Sequence, residues 1–271
     1  MFQTINPPRF LREFVKYFWI MKNKDDQVIR IQSLSDCSTG IIVQHNNGKS
    51  SFVKDGERLP TAFVYGPYTI PSVTISDQAI TLTGLVFKYQ ALPLLFKTSS
   101  CEFTDRMISL NEFSKKDVVN RVLDTAHPAT WIETLVDFLM ERVDLCKTHE
   151  PDSIIRSSID IIHSLNTDSS NLTVDSLVKL SGLSKHQFER RFLTATGILP
   201  KFYLRVYRLR KAIELLEKGN FQNLTEVAYS MNYSDQSHFI KDIKNLTGST
   251  PKQLSNLVSR YGRVEHFMIP Q

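Results

Sequence analysis

Around the aromatic anchor Phe188, the segment Lys185-His186-Gln187-Phe188-Glu189-Arg190-Arg191 gathers several kinds of polar head. On a helix that turns Phe188, Phe192 and Ala195 inward, Lys185, His186, Glu189 and Arg190 face outward. Such a face is suited to reading base edges in a duplex groove. Arg190 can reach guanine O6 and N7 with two bonds, Glu189 can accept from cytosine N4, and His186 can donate to an acceptor edge. Lys185, Gln187 and Arg191, nearer the rims, suit phosphate contacts that fix register without reading sequence. About fifty residues later a second set, Gln236, Ser237, Ile240 and Lys241, surrounds Phe239 and Ile243. Its amide matches adenine, and Ile240 can touch a thymine methyl group. This face is less basic, so it is expected to contribute less affinity.

The elements that must position these side chains are written twice. Thr173 reads as an N-cap, with Leu172 and Leu177 as a hydrophobic staple; Ser181-Gly182-Leu183 makes a turn in which glycine takes positive φ without steric cost. Ser184 then caps the next helix, with Gln187 completing a capping box and Leu183 stapled to Phe188. In the second copy Asn223 caps with Glu226 three residues on, and Asn232 stands where Gly182 stood. Ser234 or Asp235 caps the following helix. Phe192-x4-Gly197-x2-Pro200 recurs as Ile243-x4-Gly248-x2-Pro251. Two copies are too few for a solenoid; steeply angled helix pairs of this kind place their second helix in a major groove. Between them, Pro200 opens a helix to about Glu217 or Lys218, with Tyr203, Val206, Leu209, Ile213 and Leu216 inside. Lys201, Arg205, Arg208 and Lys211 lie outside, where they can run along phosphates, Lys201 and Arg205 foremost. Roughly eighteen residues span about 27 Å, short of the ~34 Å between successive groove faces of straight DNA. Either the DNA bends or only one unit inserts fully.

Charge supports the polyanion. Residues 1–150 carry 17 basic and 17 acidic side chains and residues 151–271 carry 16 and 11, so the whole net charge of +5 falls in the half with the repeat. A solvated face has the same composition in isolation; joined to a repeated helical motif, the excess favours nucleic acid over a membrane surface.

The first half offers little chemistry. His45 precedes any other histidine until His127, so no His-x-His metal cluster is present, and no phosphate loop, nucleophile elbow or H-E-x-x-H occurs. Asp36, Asp77 and Asp105 sit at turn positions that suit capping. Cys37, Cys101 and Cys146 are far apart, as expected of idle thiols in a reducing cytoplasm. The N-terminal stretch, broken by Pro7 and Pro8 and charged at Arg9, Arg12, Glu13 and Lys16, lacks the apolar core of a signal peptide. No apolar run reaches the ~18 residues a membrane span needs.

Periodicity in this half suggests a short amphipathic lead-in over Phe10–Ile20, or a strand at Tyr17–Met21. After the polar break Lys22–Gln27, apolar runs follow at Val28–Leu34, Gly40–Gln44, Ser51–Val53, Ala62–Tyr65, Ser72–Ile75 and Ile80–Tyr89. They are separated by turn residues at Ser35-Asp36, Asn46-Asn47-Gly48, Asp55-Gly56, Gly66-Pro67 and Ser76-Asp77. Many short strands at this spacing read as a small sandwich or barrel, with Ile80, Leu82, Leu85 and Phe87 facing inward. Helices are expected at Ala91–Phe96, Val118–Leu123 and from Trp131 to Leu145, the last packing on the core or on a second chain. Trp19, Phe63, Tyr65, Tyr68 and Phe87 can line a pocket or simply fill the core. The boundary falls at Lys147–Pro151, followed by a helix from Asp152 or Ser153 with Ile155, Ile159, Ile162 and Leu165 inside.

The second half, from about Ser153 to Leu254, resembles the DNA-binding domain of the AraC/XylS family of transcription regulators. The resemblance rests on Leu183-Ser184, Phe188, Arg190, Phe192, Thr196-Gly197, Pro200, Arg208-Leu209, Ala212 and Leu215-Leu216. It rests above all on Tyr233-Ser234-Asp235-Gln236-Ser237-His238-Phe239 and Thr247-Gly248-x2-Pro251. Val178 and Asn232 depart from the usual Ala and Gly. The resemblance implies two helix-turn-helix units on one linking helix, with base readers at His186, Glu189 and Arg190, then Gln236, Ser237, Ile240 and Lys241. The first half is similar to the barrel that precedes this domain in part of the family, through Val15-Lys16-x2-Trp19, Leu59-Pro60-x5-Gly66-Pro67 and Phe103-Thr104-Asp105. Ser35-Asp36-Cys37 stands where that subset often has Pro-Asp-Gly.

The expectation is therefore an α+β chain. Residues 1–150 form a small, cupin-like β-barrel with trailing helices for sensing or dimerisation, and residues 151–271 form an all-α DNA-binding domain with two helix-turn-helix units. The function expected is a cytoplasmic, sequence-specific transcription regulator without catalytic residues, metal or cofactor. Its partners are double-stranded DNA, a small-molecule effector and RNA polymerase, with the chain a monomer or homodimer and no membrane contact. The alternative is a DNA-tethered enzyme with a barrel catalyst.

Overall fold

The computed structural model describes residues 2–22, 29–46, 48–76, 80–114, 118–125, 127–146, 150–164, 172–218, 223–261 and 268–270. Asn47, Asp77, Ala79, Leu165, the polar break over 23–27, the boundary residues 147–149 and the loop 166–171 lie outside them.

The strands are β1 (Phe2–Ile5), β2 (Val15–Lys22), β3 (Ile29–Ser33), β4 (Gly40–Gln44), β5 (Val53–Lys54), β6 (Glu57–Arg58), β7 (Ala62–Tyr65), β8 (Ser72–Ser76), β9 (Thr81–Phe87), β10 (Met107–Ser109) and β11 (Met268–Pro270). They form two sheets, ordered β1-β2-β9-β4-β7-β10 and β11-β3-β8-β5-β6, and the described pairings are antiparallel. Both sheets are open, which overturns the expected barrel. The first ends on β1 and β10, which among the described residues pair only inward along the sheet, so no described pairing closes it on itself. The last strand, β11, returns from the end of the chain to pair with β3, Met268 opposite Ser33.

Three helices, α1 (Ala91–Phe96), α2 (Val118–Leu123) and α3 (Pro128–Cys146), cover one face of the larger sheet. The other face meets the smaller sheet. Strand alternation sorts the side chains accordingly. Ile41, Val43, Val64, Leu85 and Phe87 pack with Trp131, Leu135, Phe138 and Leu139 of α3. Leu82 and Val86 pack with Trp19, Ile31 and Phe52 between the sheets. The expectation that Ile80, Leu82, Leu85 and Phe87 share one inward face therefore fails, because β9 is buried on both sides. Over Phe10–Ile20 a 3₁₀ turn at Arg9–Leu11 leads straight into β2, so the strand alternative holds there and the helical lead-in does not. Of the apolar stripe of α3, Trp131, Leu135, Phe138 and Leu139 belong to the chain's own core, whereas Leu145 is exposed.

The remaining helices are α4 (Ser153–Ser164), α5 (Val174–Ser181), α6 (Lys185–Thr196), α7 (Pro200–Lys218), α8 (Leu224–Ser230), α9 (Gln236–Thr247) and α10 (Pro251–Tyr261). Two cores hold them. Ile155, Ile159 and Ile162 of α4 pack with Leu177, Phe188, Phe192 and Tyr203 around the first unit. Val206, Leu209 and Leu216 of α7 pack with Val227, Phe239, Ile243 and Leu254 around the second. α10 lies beyond the helix expected to be the last major one, and its Leu254 closes that second core.

Candidate nucleic-acid interface

The repeat is structural down to individual bonds. Ser176 N donates to Thr173 Oγ1 at 3.1 Å at the start of α5, and Glu226 N donates to Asn223 Oδ1 at 3.0 Å at the start of α8. Gly182 turns at φ 67° and Asn232 at φ 61°, the left-handed region that asparagine tolerates. The second helices start on Ser184, bonded from Gln187 N at 3.3 Å, and on Asp235, bonded from His238 N at 2.8 Å. That amide bond holds the Asp235 carboxyl below the usual carboxylate range. Both helices end alike. Gly197 N reaches Leu193 O and Gly248 N reaches Lys244 O, each at 2.8 Å. Thr196 and Thr247 each donate through Oγ1 to the carbonyl four residues back, again at 2.8 Å.

On α6, Lys185, His186, Gln187 and Arg190 are exposed and Glu189 is half-buried. Arg190 carries no ion pair among the described residues. Lys185 pairs with Asp175 at 3.1 Å across the turn, a contact that raises its pKa and lies wholly in solvent. Lys185, Glu189, Lys201 and Arg208 line a surface cleft of about 300 Å³ with Asp175, so two faces predicted separately meet there. Gln187 is engaged in the capping box, its Oε1 accepting from Ser184 N at 3.1 Å.

Arg191 is placed differently from its expected rim position. Its Nε and Nη2 donate to Asp152 at 2.6 and 2.7 Å, tying α6 to the residue before α4. Burial would raise the Asp152 pKa, but the Arg191 bonds and the amides of Ile155 and Ile154 outweigh it and hold the carboxyl below its ordinary value. Arg205, the other expected phosphate ligand, is bound to the buried Asp242 of α9 through Nε at 2.6 Å, and Tyr233 Oη donates to the same carboxylate at 2.7 Å. Sequence periodicity sees only which side of a helix a residue occupies, so neither partner was visible from it. Lys201 is exposed.

On α9, Ser237 and Lys241 are exposed, while Gln236 and Ile240 are half-buried. Gln236 Oε1 accepts from Thr225 Oγ1 at 2.8 Å, and Ile240 packs against the second core. The second face is thus less exposed and less cationic than the first.

Between the two sheets lies a cavity of about 60 Å³. Phe63, Tyr65 and Tyr68 line it; Trp19 and Phe87 of the expected pocket set belong to the two cores instead. Tyr68 Oη is buried with no hydrogen-bond partner among the described residues. Asp36 also lines the cavity, accepts from Ser38 N at 3.2 Å and lies 3.7 Å from Arg210; burial raises its pKa. The Ser38 bond bears out its reading as a turn residue. Among the described residues no group of three or more His, Cys, Asp or Glu is placed to hold a metal, and no helix is long and apolar enough to cross a membrane.

Residues 177–256 match a helix-turn-helix domain family, and residues 3–109 match a domain of unknown function (DUF6597). The invasion protein InvF of Salmonella typhimurium is 35% identical over 77 residues, which are 28% of this chain and 35% of that protein. The uncharacterized HTH-type transcriptional regulator YbfI of Bacillus subtilis is 29% identical over 107 residues, 40% of this chain and 38% of that one. This chain therefore spans little more than a third of the length of these relatives. Among solved structures, the C-terminal domain of AraT, a response regulator from Geobacillus stearothermophilus, is 25% identical with a TM-score of 0.36, covering 41% of this chain and 88% of that one. Residues 177–256 therefore carry a helix-turn-helix domain.

Proposed function

We propose that this chain is a non-enzymatic, sequence-specific DNA-binding transcription regulator, with residues 151–271 reading DNA and residues 1–150 supporting that part. The observation that carries the reading is the repetition of two helix pairs with the same N-cap bonds, left-handed turn and helix ends, with α6 and α9 in equivalent places. Each second helix presents an outer face of a size that one major groove admits. One chain holds both units, so a monomer is able to address two successive groove segments. At 1.5 Å per residue α7 is about 28 Å long, so full insertion of both units favours bent DNA, at a deformation cost of about 1–6 kcal/mol.

We assign base reading to His186, Glu189, Arg190, Gln236, Ser237, Ile240 and Lys241, with Arg190 dominant because it is exposed and cationic. Phosphate contacts fall to Lys185, Gln187 and Lys201, together with Arg208 in the shared cleft. Arg191 and Arg205 act in this reading through their carboxylate partners, by fixing the helices. Arg190→Ala is expected to weaken binding to the cognate duplex by about 1–3 kcal/mol and to relax preference at one base pair. Competition binding against single-base variants reads both effects; an equal loss on cognate and random duplexes sinks the assignment.

A further inference from the structure

Two segments of the first half grip the two reading helices at the same place. Ser100 Oγ donates to Ala195 O near the end of α6 at 2.9 Å, and Ser35 N donates to Leu246 O near the end of α9 at 2.8 Å. Counted from Gly197 and Gly248, Ala195 and Leu246 are the same position of the repeat. These carbonyls belong to the last turn of a helix, where the backbone has acceptors to spare.

The grip on α6 is the broader one. Thr104 Oγ1 donates to Gly197 O at 2.6 Å and Cys101 Sγ to Leu193 O at 3.3 Å. A Cβ on Gly197 would lie 2.8 Å from Ser100 O, so the approach is close enough to exclude any side chain there. The grip on α9 has one backbone bond and the Leu34 side chain sunk into the second core, while Asp36 beside it lies 3.7 Å from Arg210 of α7.

The two grips are joined through one short piece of chain. Asp36 bridges to Tyr68 on one side. On the other, Asp105 N donates to Pro67 O at 3.0 Å and Gly66 N to Arg106 O at 3.2 Å. Thr69 N completes the connection, donating to Asp105 Oδ1 at 2.7 Å. Residues 34–36, 66–69 and 99–106 thus make a bracket whose two arms end on equivalent carbonyls of α6 and α9.

We infer that this bracket fixes the separation and mutual angle of the two reading helices, and thereby sets which spacing of half-sites the chain binds. α7 alone joins the units at one end; the bracket holds them at a second point, and two points define an angle where one does not. Ser100, Thr104 and the Ser35 amide are positioning residues in this scheme. They touch no DNA and act through the helix ends. The inference rests on the DNA-binding reading above.

The test uses the full-length chain and a series of duplexes whose two half-sites are moved apart or together by one or two base pairs. The unaltered protein is expected to favour one spacing by about tenfold, the scale of a single unfavourable base step. The double variant Ser100→Ala, Thr104→Val is expected to flatten that profile to within about threefold while its affinity for a duplex with one half-site is unchanged. Thr104→Ser, which keeps the donor, should keep the profile. Retained half-site affinity shows that the variant is folded; a sharp, unshifted optimum in it overturns the bracket, as does a wild-type chain with no spacing preference. A DNA-free readout separates this from failure of the DNA reading. Spin labels on non-canonical residues at positions 186 and 241 should give a narrow distance distribution in the unaltered chain and a broad one in the double variant. Equal widths overturn the inference whether or not the protein binds DNA.

Discussion

Phe192→Ala is expected to destabilise the folded chain by about 3–5 kcal/mol, the usual cost of deleting a fully buried aromatic ring. Phe192 is completely buried and meets Tyr203 edge-on at 5.4 Å and Phe188 at 5.8 Å between ring centroids. It joins α6 to α7, and with Ile155 and Ile159 it also joins α6 to α4. Alanine leaves a void that these rings cannot close, because each is fixed by its own contacts. Against a total stability of about 5–15 kcal/mol, the loss is a fifth or more. Urea unfolding followed by circular dichroism should show a lower midpoint with little change in slope. A shift equivalent to less than about 1 kcal/mol would mean that the ring is not the centre of the first unit's core. At the matching place in the second unit, Ile243 is equally buried, which makes it the natural comparison.

Asp242→Ala should have the next largest effect, about 2–3 kcal/mol. Asp242 is 8% exposed and its carboxylate receives both Arg205 and Tyr233. Removing one partner of a largely buried pair leaves the other without compensation, which costs several kcal/mol in a dry site. The Arg205 side chain is 35% exposed, so water recovers part of that loss and the lower figure applies. Asp242→Asn retains an acceptor for Tyr233 and should lose about half as much. A second consequence separates this site from an ordinary core position. With Asp242 gone, Arg205 is free to reach phosphate, so binding to random duplex should strengthen at low salt even as the fold weakens. Unchanged stability in Asp242→Ala would show that the α7–α9 tie contributes nothing.

The helical half was legible residue by residue because its signals are local. Caps at Thr173, Ser184 and Asn223, the positive φ at Gly182 and Asn232, and the inward aromatic residues each depend on neighbours three or four places away. What joins elements distant in sequence was not legible. Arg191 and Arg205 read as outward cations, yet Asp152 lies 39 residues from the first and Asp242 lies 37 from the second. Among the strands of the first half, Gly40–Gln44 and Ala62–Tyr65 were placed to the residue, whereas Ser51–Val53 meets β5 only at Val53 and β6 was not foreseen. Their closure was not, since whether a sheet curls shut depends on which edge strands meet. β1, β10 and β11, short edge strands of three or four residues, carried no periodicity by which to be seen. The junction of the halves was equally hidden. Ser100 and Thr104 look like unremarkable loop hydroxyls until their acceptors on α6 are known.

The central claim is that α6 and α9 read two successive groove segments. Selection of bound duplexes from a random-sequence pool, followed by footprinting of the winner, tests it most directly. The expected winner has two blocks of base preference centred about one helical turn, ~10–10.5 bp, apart, protected on the same face, with the stronger preference under the Arg190 side. A pool that shows no enrichment after repeated rounds, or a footprint with no sequence preference beneath it, would contradict the claim.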